Sequence, residues 1–255
     1  MTSPGSLDAI LRGRGVGAAI FAASASTKGG DADAVDRQGA VNCARACIRH
    51  GVPRPVVVSS GTVTRPDAGV YRLLNFVGQG IVAAKIVGEN AVRERYADPA
   101  VRGAGRGYTV VRPGGPTTGP SRVAGALVIY QGNSKSGRLA RADVAAFCVA
   151  RLDVPGAFDT TFECYGTNTA WPVEAVGLSN ILGRTDGTAF RSGRERIGDT
   201  WGELFEGLSR GSWMRCSYDL LQNARNEERH IRRRTSNNNF TISNNNFTLY
   251  IITLI

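Results

Sequence analysis

Tyr108-Thr-Val-Val-Arg-Pro-Gly-Gly115 is the stretch on which the fold turns. Three β-branched residues, Thr109 to Val111, suit a buried strand. Pro113 has no amide hydrogen to give to a ladder, so the strand closes there. Gly114 and Gly115 allow another backbone to approach closely. A buried strand that opens into a glycine loop is how open α/β sheets build ligand sites at the carboxyl ends of their strands. Val56-Val-Val-Ser-Ser-Gly61 repeats this grammar, and Ala18–Ser24 reads as a third buried strand.

The segments between the strands are helical in pattern. Ala34–His50 places Ala40, Ala44 and Cys47 on one small-residue face, with Asp33 as its predicted cap and Gly51, Pro53 and Pro55 as its stop. Val70–Arg95 is helical with weak points at Gly78 and Gly80. Further on, Val123–Gln131 and Thr160–Tyr165 are strand candidates. Arg141–Arg151 reads as a helix, with Val144, Ala145, Cys148 and Val149 on one face and Asp143 in its first turn. Arg194–Leu208 can form a last amphipathic helix through Ile197, Trp201, Leu204 and Leu208. This alternation predicts an α/β fold built on a doubly wound parallel sheet. Right-handed crossovers would bring the chain after Ala23, Ser60 and Arg112 to one sheet edge.

Composition narrows the function. The 255 residues carry a net charge of +10, but arginine supplies all the basic residues except Lys28, Lys85 and Lys135. No basic run in the body exceeds two residues, which argues for a solvated surface and against a nucleic-acid partner. No apolar run reaches the ~18–20 residues of a spanning helix, and the N-terminus has no apolar signal segment, so no membrane association is expected. Five cysteines form no disulfide framework, which points to a reducing compartment, cytoplasm or plastid. The two histidines, His50 and His230, leave little material for a Ser-His-Asp or Cys-His site. Cys43, Cys47 and His50 share a helical spacing, yet they lack an evident fourth ligand, and no metal site is expected.

From about Ser209 the composition changes. Arg232-Arg-Arg234 precedes two copies of Ser-Asn-Asn-Asn-Phe-Thr, at 236–241 and 243–248, and the last 20 residues hold no Ala, Gly or Arg. Residues 1–208 are therefore expected to form the folded domain and 209–255 a low-complexity, disordered tail. The basic triplet and the two Asn-Phe-Thr sequons read as features of that tail rather than as an import signal or glycosylation sites.

Taken in order, several runs resemble one family. They are Gly15-Val-Gly-Ala-Ala-Ile-Phe-Ala-Ala-Ser24, Val35-Asp-Arg-Gln-Gly-Ala-Val-Asn42, Gly51-Val52, Val56–Ser60 and Ala83-Ala-Lys-Ile-Val-Gly-Glu89. Tyr108–Gly115 and Arg138-Leu-Ala-Arg-Ala-Asp-Val-Ala145 complete the set. Over about Leu7–Phe162 the chain resembles the atypical short-chain dehydrogenase/reductases, the NmrA-like NAD(P)-binding proteins. The resemblance implies a Rossmann-type domain and a nicotinamide dinucleotide, NADP or NAD, the basic balance favouring NADP. It implies that Ala22, Ala23 and Ser24 lie by the adenosine ribose or pyrophosphate, and Ser59 and Ser60 near the nicotinamide. By the same resemblance Lys85 would reach the nicotinamide ribose, and Pro113, Gly114 and Gly115 would pass beside the carboxamide. Lys85 and Ser60 are the catalytic candidates.

Two departures from the family shape the expectation. The family opens with a strand, a Gly-x-x-Gly-x-x-Gly turn and a helix on the pyrophosphate. Here Gly13-x-Gly15-x-Gly17 precedes a strand instead and reads as a helix-to-strand turn. The domain is thus expected to lack its first β-α-β-α-β half, leaving Ala18–Ser24 as an apolar sheet edge: either the chain is a fragment, or something else, such as a protein partner, covers that edge. The family also places a tyrosine four residues before its lysine, and here that position is Ile81, with Tyr71 the nearest alternative. The expected function is dinucleotide binding with impaired catalysis, or a non-catalytic dinucleotide-sensing scaffold. Lys85, Ser59 and Ser60 each have a plainer reading, as a snorkelling lysine and as strand-ending serines. Arg112 is expected to pair with Glu89 or Asp143.

Overall fold

The computed structural model describes residues 4–25, 30–154, 158–173 and 195–211. The expectations placed on residues 212–255, on Lys28 and on most of 171–190 lie outside the described residues.

The chain opens with α1 (Pro4–Leu11) and β1 (Ala18–Phe21). A π-helical turn (Asp33–Gly39) runs directly into α2 (Ala40–Arg49), which leads to β2 (Arg54–Val58). Then come α3 (Gly69–Val77), α4 (Ile81–Tyr96), α5 (Pro99–Gly103), β3 (Thr109–Pro113) and β4 (Gly115–Thr117). The second half holds β5 (Leu127–Tyr130), β6 (Lys135–Ser136), β7 (Arg138–Ala140), α6 (Arg141–Asp153), β8 (Thr160–Gly166), β9 (Trp171–Pro172), β10 (Glu195–Arg196) and α7 (Trp201–Phe205).

Six strands form the main sheet in the order β1-β2-β3-β8-β5-β10. The first four are parallel, so the ends of β1, β2 and β3 do share one edge. β5 runs antiparallel to β8 and β10 antiparallel to β5, so the sheet is mixed rather than wholly parallel. Among the described residues β1 is the edge strand. Its side chains are nonetheless buried, with Ala19 and Phe21 joining the cluster under α2 and α4, and Ala18 and Ile20 the cluster on the opposite face. Valines dominate β2 and β3 because both faces are covered.

Helix ends follow their local chemistry. Gly51, at φ +73°, closes α2, and Val52 N–H reaches Cys47 O at 2.9 Å. Gly78 to Gly80 do break the long helical pattern, leaving α3 and α4 bent by 99°. Among the described residues no single helix is long and apolar enough to cross a membrane.

Several details differ from the sequence reading. Asp33 does not cap its helix: it pairs with Arg37, and Asp31 Oδ1 accepts from Ala34 N–H at 3.0 Å. On α6 the buried face is Phe147, Cys148 and Leu152, while Ala145 is exposed. The helix expected over Arg194–Leu208 shrinks to the five residues of α7. Thr200 Oγ1 accepts from Glu203 N–H and Glu203 returns the bond to Thr200 N–H, so the helix starts there. Ser209 N–H bonds Gln131 Oε1 at 2.9 Å and Gly211 N–H bonds Asp159 O at 2.9 Å.

Candidate dinucleotide site

Three chain segments converge at the carboxyl edge. After β1, Ala22 and Ser24 are exposed and Ala23 and Ala25 buried. After β2, Ser59 N–H bonds Val111 O at 2.8 Å, and Gly61 N–H bonds Pro113 O at 2.9 Å, so the β2 turn is stitched to the end of β3. After β3, Gly114 N–H bonds Cys164 O at 2.9 Å and Gly115 N–H bonds Gly137 O at 2.7 Å. A Cβ on Gly114 would collide with Gly137 O, so only glycine fits there.

Hydroxyls mark the middle of this edge. Ser59 is buried beside Glu89, whose charged form its hydroxyl favours; Thr62 Oγ1 is buried without a partner among the described residues. Ser60 is half-buried. A buried hydroxyl without a partner at a strand-end loop, as at Thr62, is what a polar ligand would complete. The sequence around Thr62 carries no local signal for its burial. The loop itself is fastened from the far side, where Thr64 Oγ1 bonds Asn133 Oδ1 and Arg65 Nε donates to Asn133 O at 2.8 Å.

Lys85 lies one turn into α4, whose N-terminal end sits at the same edge because the helix returns the chain from the end of β2 to the start of β3. Its side chain is 12% exposed, and Nζ lies 2.8 Å from Oδ1 of Asp36, which is fully buried. The plain snorkelling reading of Lys85 therefore fails. Asp36 lies in the Val35–Asn42 run, where nothing in the local sequence points to a charged partner on another helix. Ile81, in the position where the family places its tyrosine, is partly buried against the apolar cluster under α2 and α4. Tyr71 packs with Val63, Val82 and Ile86 in a separate cluster.

Beneath the hydroxyls lies a buried charge network. Arg112 reaches Glu89 through Nε (3.2 Å) and Nη2 (2.7 Å), and Glu163 through Nη1 (3.3 Å). Arg93 adds a contact to Glu89 at 2.5 Å and to Thr161 Oγ1 at 3.0 Å. Of the two partners expected for Arg112, Glu89 is observed and Asp143 is not: Asp143 binds Arg122. Burial alone would raise the Glu89 carboxyl, but Arg112 and Arg93 overcome it and hold the group at about 2. Glu163 keeps only one arginine contact and an N–H from Asn133, so burial wins and its carboxyl is raised.

The Cys43, Cys47 and His50 trio does not converge on a common point. His50 Nε2 lies 2.9 Å from Asp8 Oδ1, and both cysteines are buried in the core. No group of three or more metal-ligating side chains occurs among the described residues.

A family model described as NAD(P)H-binding matches residues 1–155. The chain belongs to this NAD(P)H-binding family. A candidate NAD-dependent epimerase/dehydratase from Bacillus halodurans is 22% identical, with 63% of this chain and 68% of that one covered and a TM-score of 0.50. The oxidoreductase ylbE from Lactococcus lactis is 19% identical over 72% of this chain and 74% of its own, also at a TM-score of 0.50. Both likenesses concern the fold, which is that of a Rossmann-like α/β protein. No functionally curated protein is significantly similar to the chain. The residues present fit a nicotinamide dinucleotide at this edge: hydroxyls at Ser59, Ser60 and Thr62, the Lys85 ammonium, and backbone kept bare by glycine.

Proposed function

We propose that the chain binds a nicotinamide dinucleotide along the ends of β1, β2 and β3, and that its hydride-transfer chemistry is impaired. The observation that carries this is on one helix: Lys85 is paired with the buried Asp36, while Ile81, one turn earlier, packs on the apolar cluster and offers no proton. In this reading Ala22 to Ser24 flank the adenosine ribose or pyrophosphate, Ser59, Ser60 and Thr62 offer hydroxyls to the nicotinamide side, and Lys85 donates to the ribose. Pro113 to Gly115 form the wall beside the carboxamide. A bound nicotinamide supplies or accepts a hydride. Carbonyl reduction also needs a positioned acid, which contributes typically 10²–10⁴-fold. NADP is favoured over NAD by the basic balance of the sequence. The binding unit is assigned to residues 1–208.

Fluorescence titration of the full-length chain with NADPH and NADH tests the reading. Micromolar binding with negligible turnover of a panel of aldehydes and quinones is expected. Absence of binding, or brisk turnover, overturns it.

A second reading is a dinucleotide-responsive scaffold that meets a protein partner along β1, favoured by the position of that strand at the sheet edge. It predicts NADPH binding with no turnover even after an acid is restored at position 81.

A further inference from the structure

We propose that Asp36 is the positioning residue of the cleft: one carboxylate oxygen fixes the Lys85 ammonium, and the other fastens the loop that follows β1. This rests on the dinucleotide reading of the site but concerns a residue to which that reading gives no part.

The geometry is specific. Oδ1 of Asp36 lies 2.8 Å from Lys85 Nζ, and Oδ2 accepts from Ala25 N–H at 2.8 Å. A buried carboxylate is costly unless paired and hydrogen-bonded. Here both partners come from segments that border the cleft, one from α4 and one from the end of β1. The carboxylate therefore links the nicotinamide side of the site to the adenosine side.

The surrounding backbone is shaped to bring this about. Asp36 sits in the π-helical turn, a conformation that proteins use sparingly and often at functional sites. Gly88 lets that turn lie directly on α4, since a Cβ there would stand 2.7 Å from Asp36 O. On the other side Gly39 faces the Phe21 ring, where a Cβ would stand at 3.1 Å. Two glycines thus bring the turn against both α4 and β1.

The choice of cation fits the same purpose. Arginine provides 28 of the 31 basic residues, yet this position is lysine. An ammonium is compact and carries three donors, whereas a guanidinium would bind one carboxylate as a flat fork. Held by charge at 2.8 Å from Asp36 Oδ1, the ammonium keeps donors to offer to ribose hydroxyls.

The test compares wild type with Asp36→Asn, Lys85→Met and the double variant, all as full-length chains. Two quantities are read: NADPH affinity, and the rate at which Lys85 is modified by an amine-reactive reagent, mapped by mass spectrometry against Lys135. Asp36→Asn keeps the size of the side chain and an acceptor for Ala25, but loses the charge. It should weaken NADPH about tenfold, or about 1.4 kcal/mol. It should also speed Lys85 modification about tenfold, which a merely structural ion pair would not link to cofactor affinity. The double variant should bind no more weakly than Lys85→Met, because Asp36 acts through Lys85. Asp36→Glu, with the charge kept and the carboxylate one methylene further out, should shift both readouts in the same direction by less. It decides the matter if Asp36→Asn does not fold. Unchanged Lys85 modification in Asp36→Asn and Asp36→Glu overturns the proposal, even if wild type binds no NADPH. Wild-type binding with additive losses in the double variant overturns it too. Absence of wild-type binding alone removes the dinucleotide reading and leaves the Asp36–Lys85 link to the modification rates.

Discussion

Glu89 and Glu163 press on the same buried arginine, yet replacing each with glutamine should give opposite results. Glu89 takes two bonds from Arg112 and one from Arg93, while Glu163 takes one from Arg112 at 3.3 Å. The Glu89 carboxyl is held at about 2 against an ordinary 4.5. At 1.36 kcal/mol per unit this is on the order of 3 kcal/mol of stability. Because the folded value is depressed, that stability is present above pH 4.5 and is lost as pH falls towards 2. Glu89→Gln removes it and leaves Arg93 and Arg112 with too little negative charge, a loss of about 3–5 kcal/mol for a broken buried pair. Glu163 has the reverse sign: its carboxyl is raised. Its contribution is full below its unfolded value of 4.5 and declines as pH rises through the folded one. A neutral glutamine avoids that decline, so at pH 7 Glu163→Gln should match or exceed the wild type. Urea melts of the full-length chain between pH 4.5 and 8, with slopes compared to check cooperativity, measure both. Equal losses for the two variants, or a larger loss for Glu163→Gln, would refute the division of charge drawn from these distances.

Neighbouring glycines give a second contrast. Gly114→Ala should cost about 1–3 kcal/mol, seen as a lower Tm, because its Cβ meets Gly137 O. Gly115→Ala, whose Cβ would stand 3.7 Å from that oxygen, should stay within about 0.5 kcal/mol of wild type. Phe205→Ala should cost about 3–5 kcal/mol by chemical denaturation, since its buried ring packs on Phe147, Phe162 and Trp201. Ile81→Tyr, placed one turn before Lys85, should raise NADPH-dependent carbonyl reduction by about 10²-fold. Unchanged turnover with NADPH binding intact would refute the missing acid as the cause of impairment.

The ends of β2 and β3 were legible because β-branched runs followed by serine, proline and glycine are local signals. Gly78 and Gly80 announced the break between α3 and α4 in the same way. The Arg112–Glu89 pair was half legible. Its second partner, Glu163, becomes a neighbour only through the register that sets Arg112 beside Glu163 on adjacent strands. Asp36 and Lys85 are 49 positions apart, and no pattern within either helix points to the other. The last helix is shorter than its period suggests: Ile197, Trp201, Leu204 and Leu208 repeat helically, but Gly198 lies before the helix and Gly207, at φ +64°, beyond its end. The Thr200-x-x-Glu203 capping box stood in the sequence as the better guide to where the helix begins.

The stripe Ile81, Lys85, Glu89, Arg93 along α4 shows why membership of the family does not by itself decide turnover. Each member is one i+4 step from the last, so all four lie along one helix face. Lys85 is tied to Asp36, Glu89 to Arg112, and Arg93 to Glu89 and Thr161. Those three residues hold α4 to the π-helical turn and to the sheet, whatever happens to a substrate. Position 81 is different. Ile81 packs on the apolar cluster, so an aliphatic side chain there suits the fold. The proton donor could thus be exchanged for isoleucine without disturbing the charges that position Lys85. If Lys85 serves the dinucleotide as proposed, binding and hydride transfer draw on different positions of α4 and can be tested apart, by Lys85→Met for the first and Ile81→Tyr for the second.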